Sequence, residues 1–154
     1  MDADQIKTIV SKDPHMSKLL AGIISAKDVK KIAVTGPPKA FIVNTGNHWV
    51  LIINYGKHRV LVYYDSYGEK PPKSIENWLK QMGNKTEMNR VQQQPDDSSY
   101  CGLYVIFVLY YVSRGITFQK VMKLFHKRNL SLNDRRVAKF VVEKFGFDVS
   151  EIKL

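Results

Sequence analysis

The ten residues Leu103–Val112 carry no charged side chain, and their only polar side-chain groups are the hydroxyls of Tyr104, Tyr110 and Tyr111. A helix that crosses a bilayer needs about 20 apolar residues. A helix lying on a protein surface shows a polar face at a period near ~3.6 residues. This run does neither, so the rest of the chain must wrap it. A chain of 154 residues is long enough to do so, because a domain of roughly 150 residues buries on the order of 70% of its unfolded surface. Ser98 or Ser99 is placed to cap the helix, and Gly115 to stop it just after Arg114. Hydrophobic residues make up 44% and charged residues 25%, which excludes disordered and fibrous classes. The expectation is one domain, 1–154, built round a helix buried on every side.

Local patterns predict the wrapping elements. Residues 3–21 read as one or two short helices interrupted near Pro14, and Ser25–Asp28 as a short turn. Phe41–Val43, Trp49–Tyr55 and Val60–Tyr64 read as strands, the last two forming a hairpin around Gly56-Lys57-His58. After Pro71-Pro72, Ser74 opens a helix to about Gln81, with Trp78 and Leu79 inward, and Thr86–Gln93 has strand character. Two helices follow, Thr117–Lys127 with Phe118, Val121, Met122, Leu124 and Phe125 as its apolar face, and Asn133–Phe145 with Val137, Phe140, Val141 and Phe145. The fold class is α+β, a mostly antiparallel central sheet with flanking helices.

The chain has one cysteine, Cys101, at the first turn of the apolar helix. It has no partner in the chain for a disulfide, and one thiol cannot build a multi-cysteine metal site. A helix N-terminus offers free N–H groups and the positive end of the macrodipole, and both favour the thiolate. Gly102 leaves room for close approach. Alternatively, Cys101 is an inert small hydrophobe. Of His15, His48, His58 and His126, only His48 opens a strand, after the loop Asn44–Asn47. In the predicted hairpin the start of Trp49–Tyr55 lies beside the end of Val60–Tyr64, which brings His48 next to Asp65. A carboxylate there would fix the imidazole tautomer and stabilise the imidazolium, although His48 could be structural and Asp65 could simply start the turn Ser66–Gly68. In Gln92-Gln93-Gln94, ahead of the cysteine, a side-chain amide could donate to a developing oxyanion or sit in an exposed loop.

These segments resemble the adenovirus-type, adenain-like cysteine peptidases. They are most similar to small proteases of adenovirus-related viruses and of large virus-like DNA transposons, and more distantly to peptidases that remove ubiquitin-like modifiers. The resemblance rests on Phe41–Thr45 leading into His48-Trp49, the 17-residue step to Asp65-Ser-Tyr-Gly68, and Gln94 seven residues before Cys101-Gly102. It continues in Tyr110-Tyr111…Arg114-Gly115 and Leu132-Asn-Asp-Arg135, and spans about Gly22 to Phe147. It implies an adenain-like, papain-related fold, with Cys101 as nucleophile, His48 as general base, Asp65 as orienter and Gln94 as oxyanion donor. Trp49 and Gly102 would line the substrate cleft. Asp65 replaces the Glu common in adenovirus enzymes, and the run of glutamines leaves Gln93 and Gln94 both open as donor. The implied activity is endopeptidase cleavage of capsid or other virion precursors near Gly, without metal or organic cofactor. Some relatives are activated by DNA and by a disulfide-linked peptide. Here such a bond would consume Cys101, so a peptide activator would have to bind without it.

The formal charge is +10, and residues 101–154 hold 10 basic and 4 acidic side chains, net +6. Lys120, Lys123, Lys127, Arg128, Arg135, Arg136 and Lys139 could form a basic face on the last two helices that binds DNA without regard to sequence, or a face kept for solubility. The N-terminal stretch lacks a long apolar run. The expectation is a monomer with no membrane partner, intracellular in the host nucleus or cytoplasm and in the virion, and not secreted. Two other readings stay open: a ubiquitin-like-modifier deconjugase of the same chemistry, and a non-enzymatic nucleic-acid-binding module.

Overall fold

The computed structural model describes residues 1–33, 35–56, 60–82 and 85–152. Five strands form one sheet in sequence order: β1 (Leu20–Ser25), β2 (Lys39–Asn44), β3 (Trp49–Asn54), β4 (Val60–Tyr64) and β5 (Lys85–Met88). The central β2–β3 and β3–β4 pairs are antiparallel, and the edge pairs β1–β2 and β4–β5 are parallel. The β3–β4 pairing predicted from sequence is present, with Leu51 opposite Tyr64 and Asn54 opposite Leu61. The tip of that hairpin, with His58, lies outside the described residues. β1 was not anticipated, because Leu-Ala-Gly-Ile-Ile-Ser is short and contains a glycine, and its extended form comes from pairing with β2.

Every residue of β3 is buried, because helices cover both faces of the sheet. On one face Leu51, Ile53, Val62 and Tyr64 pack against α1 (Ala3–Ser11), α2 (Pro14–Leu19), α4 (Cys101–Val112), α5 (Phe118–Met122) and α6 (Leu130–Phe145). On the other, Val50, Ile52, Leu61 and Tyr63 meet α3 (Lys73–Met82) and the 3-10 turn Ala26–Lys31. α4 is the helix expected at the centre: Leu103, Val105, Ile106 and Leu109 are fully buried and Phe107 is 8% exposed. The Arg114 guanidinium, just beyond α4, bonds both carboxylate oxygens of Asp13, the α2 cap, and lies 3.5 Å over the Tyr110 ring.

Several helix boundaries differ from the sequence reading; α6 begins at Leu130, capped by Asn129, and not at Asn133. Neither Ser98 nor Ser99 is the N-cap of α4. Tyr100 holds that position without a side-chain cap bond among the described residues, and the Ser98 hydroxyl is engaged elsewhere. α5 ends at Met122 and not near Lys127. Asn133, fully buried in α6, accepts from the His126 N–H and donates to the His126 carbonyl, both at 2.8 Å. That pair of hydrogen bonds takes the backbone groups a helix would need there, and Phe125 turns in to stack on Tyr104. Leu124, predicted on the apolar face, is 40% exposed as a result. No helix among the described residues is long and apolar enough to cross a membrane.

Candidate active site

The site lies on one rim of the sheet, where the start of β3, the end of β4 and the start of α4 converge. His48 directly precedes β3 and Asp65 directly follows β4. Continuing the antiparallel register past Leu51–Tyr64 puts position 50 opposite 65 and 48 opposite 67. The side chains follow: His48 Nε2 is 2.7 Å from Asp65 Oδ1, and the His48 and Tyr67 rings meet at a tilt of 32° with centroids 4.9 Å apart. With Nε2 on the carboxylate, Nδ1 is the ring nitrogen left for sulfur, and the Cys101 thiol and the His48 ring are near enough to shift each other's pKa. His15 and His126 are exposed, in α2 and after α5.

The electrostatics favour charge separation. Burial pushes the His48 pKa down, but the hydrogen bonds to Asp65 and Cys101 outweigh it and hold the imidazolium to about 9. Burial pushes the Cys101 thiol up, yet His48 and the Trp49 backbone N–H together bring it below its ordinary value. Each partner stabilises the other's ion, which is the condition for a thiolate–imidazolium pair.

The turn after β4 organises the rim residue by residue. Asp65 Oδ1 accepts from the Tyr67 N–H at 2.8 Å as well as from His48. The Ser66 carbonyl accepts from the N–H groups of Gln93 and Gln94, and its hydroxyl donates to Gln94 Oε1. The Tyr67 hydroxyl donates to the Ser98 carbonyl at 3.0 Å. Gly68 has φ +69°, and a Cβ there would sit 2.8 Å from the Val91 backbone, so only glycine lets the irregular segment 91–94, expected as strand to Gln93, dock. Asn89, 9% exposed, clamps Asp65 by accepting from its N–H and donating to its carbonyl. Asn89, Ser66 and Tyr67 were not singled out from sequence. The first lies 24 residues from its partner with no local pattern, and the other two sit inside the Asp65–Gly68 motif.

The two candidate glutamines part company. Gln93 turns into the core, accepting from the Tyr64 hydroxyl at 2.7 Å with its amide against Met122 sulfur. Gln94, fully buried, donates to the Ser98 carbonyl and hydroxyl at 3.0 and 3.1 Å. Trp49 is 6% exposed and donates its indole N–H to the Met1 carbonyl at 2.8 Å. The Met1 side chain lies over Gly102, where a Cβ would meet its sulfur at 2.6 Å. Trp49 and Gly102 are thus brought together beside Cys101. A polar cavity of about 400 Å³, lined by Asn47, His48, Asp65, Tyr67 and Asp96 among others, opens beside the histidine. Larger cavities of about 730 and 520 Å³ flank β5 and hold neither His48 nor Cys101.

The basic residues are not gathered there. Lys120, Lys123, Lys127, Arg128, Arg135, Arg136 and Lys139 are all exposed. Because α5 is short, Lys123, Lys127 and Arg128 lie in the connection to α6 and not on a helix face.

Residues 39–146 match the family model described as Ulp1 protease family, C-terminal catalytic domain. The chain belongs to the Ulp1 protease family. That segment contains Cys101, His48, Asp65 and Gln94, and the family is one of cysteine proteases. The resemblance read from sequence, to cysteine peptidases related to those that remove ubiquitin-like modifiers, agrees with this match. No curated protein sequence matches the chain. Among solved structures, the SUMO protease Ulp1 is 14% identical, with 93% of this Ulp1-family chain and 77% of that one covered at a TM-score of 0.54. The ASFV pS273R protease is 20% identical at a TM-score of 0.52, covering 68% of this chain. The chain spans only 41% of that protein. The central domain of the Lpg1148 protein from Legionella pneumophila is 12% identical at 0.51, covering 94% of this chain and 96% of that one. At these identities the likeness is one of fold.

Proposed function

We propose that this domain is a cysteine endopeptidase in which Cys101 is the nucleophile, His48 the acid–base and Asp65 its orienter. The observation that carries the reading is His48 Nε2 on Asp65 at 2.7 Å, with His48 and Cys101 each shifting the other's pKa toward the ion pair. The thiolate attacks the scissile carbonyl and forms a carbon–sulfur bond. Gln94 and backbone N–H groups at the start of α4 stabilise the oxyanion. Collapse expels the amine, which takes the proton from His48. His48 then removes a proton from water, and hydroxide releases the acid product and regenerates the thiolate–imidazolium pair.

The substrate is a polypeptide with glycine at the cut, in the manner of viral or transposon capsid precursors. Supporting this is the fold likeness to a viral protease. A second reading, removal of a ubiquitin-like modifier, is favoured by the family match and by the Ulp1 domain solved in complex with Smt3. Parallel assays with a fluorogenic Gly-Gly peptide and with intact modifiers carrying the same leaving group separate the two. Endopeptidase action requires turnover of the short peptide within about tenfold of the best modifier in kcat/KM. A preference for one modifier of 10³ or more, about 4 kcal/mol of transition-state binding, would establish the second reading.

A further inference from the structure

We propose that Asp134 is a positioning residue for the oxyanion donor, acting through Ser98. This rests on the reading of Gln94 given above. Asp134 lies in the second turn of α6, 36 residues from Ser98, and is half-buried. Its Oδ1 accepts from the Ser98 hydroxyl at 3.0 Å and from the Tyr104 hydroxyl at 2.7 Å. Burial raises its pKa, so the protein keeps a carboxylate where ionisation is disfavoured.

A hydroxyl has one proton to give. Once Ser98 donates it to Asp134, its lone pairs face the two groups that donate to it. One is the N–H of Tyr100, the residue before the nucleophile, at 3.2 Å; the other is Gln94 Nε2, at 3.1 Å. The Ser98 carbonyl accepts from the same Nε2 and from the Tyr67 hydroxyl. Both acceptors for Gln94 Nε2 belong to one residue, so Ser98 sets where the amide lies. Under the reading given above, an oxyanion at Cys101 takes one of its two N–H groups while Ser98 keeps the other. At the opposite end, the Ser66 hydroxyl donates to Gln94 Oε1 and sets which end of the amide is the NH₂. Ser98 thus ties donor and nucleophile to one hydroxyl, and Asp134 fixes that hydroxyl from a different element. Asn133, its neighbour, holds the same loop by donating to the Gln93 carbonyl at 2.9 Å.

The test compares Ser98→Ala, Asp134→Ala, the double variant, Tyr104→Phe and Gln94→Ala. Three quantities are read: steady-state constants on the Gly-Gly substrate, affinity for a Gly-Gly aldehyde, and alkylation of Cys101 by iodoacetamide. The aldehyde forms a hemithioacetal whose oxygen occupies the oxyanion position, whereas alkylation develops no oxyanion. Each alanine single at 98 or 134 should lower kcat and aldehyde affinity together by about 10- to 100-fold, the range for a misplaced group. KM and the alkylation rate should stay within about twofold, and the double variant should lose no more than the worse single, since both cut one path. Tyr104→Phe removes the other partner of Asp134 and should leave kcat near wild type. An unchanged kcat in Ser98→Ala overturns the proposal, as do alkylation falling in step with kcat or losses that multiply in the double variant. If Asp134→Ala does not fold, Ser98→Ala decides alone. Gln94→Ala separates the two levels. If it is fully active, the oxyanion reading itself fails. If it is impaired while Ser98→Ala is normal, only the positioning role does.

Discussion

The sheet rim and the C-terminal basic surface both hold many polar groups, but they are built differently. On the rim His48, Asp65, Tyr67, Asn89, Gln94 and Ser98 each have named partners, and most of these are buried or half-buried. On the basic surface, among the described residues, only Arg136 and Lys139 have a partner, the Leu124 carbonyl and Glu143. A pinned dipole acts at one point in space, and removing it costs the whole interaction. A mobile cation contributes to a field, and removing it costs one increment, screened by salt. The rim is therefore suited to chemistry on a single carbonyl, and the basic surface at most to a diffuse polyanion.

The largest expected effect breaks the rim. Asp65→Asn should fold and lose activity by roughly 10³ to 10⁴, since the amide neither fixes the tautomer nor supports the imidazolium. The pH profile carries the sign. The active ion pair exists between the lowered thiol pKa and the raised imidazolium pKa of about 9. Removing the carboxylate should bring the alkaline limb down from near 9 and narrow the window. A variant with the wild-type profile and rate would show that Asp65 only closes its turn.

Stability sharpens the same contrast. Phe107 packs against Tyr111, Phe125 and Phe140 with ring centroids 5.0–5.2 Å apart. Phe107→Ala should cost about 3–5 kcal/mol in denaturant unfolding, while Lys120→Ala should be within about 0.5. Equal costs would mean α4 is not the central packing element.

The smallest effect concerns the surface. We propose that the exposed basic residues bind duplex DNA without sequence preference. Charge reversal at Lys127 and Arg128 should flatten the log–log salt dependence by roughly 0.9 for each lost phosphate contact. Cys101 alkylation in DNA-free buffer should not change. Absence of binding at low salt would leave these residues as a solubility face and leave the rim untouched.

The features legible in sequence are those carried by local pattern. The unbroken apolar run identified α4, and two apolar runs about a short turn identified the β3–β4 pair, which brings His48 and Asp65 to one rim of the sheet. What was missed depends on distant partners. β1 is extended because β2 pairs with it, α5 stops because Asn133 captures His126, and Ser98 serves Asp134 instead of capping α4. None of these leaves a periodic trace. The Gln93–Gln94 ambiguity was of this kind too, since adjacent identical residues differ only in what the fold places on either side.

The central claim is that the His48–Asp65 pair activates Cys101. Its most direct test is the rate of iodoacetamide alkylation of Cys101 between pH 5 and 9, in the native chain and in His48→Ala. The expected result is alkylation at pH 6 more than about tenfold faster than a peptide thiol, falling to the peptide rate in the variant. Native Cys101 reacting no faster than the peptide thiol, with no change on removing His48, would contradict the account.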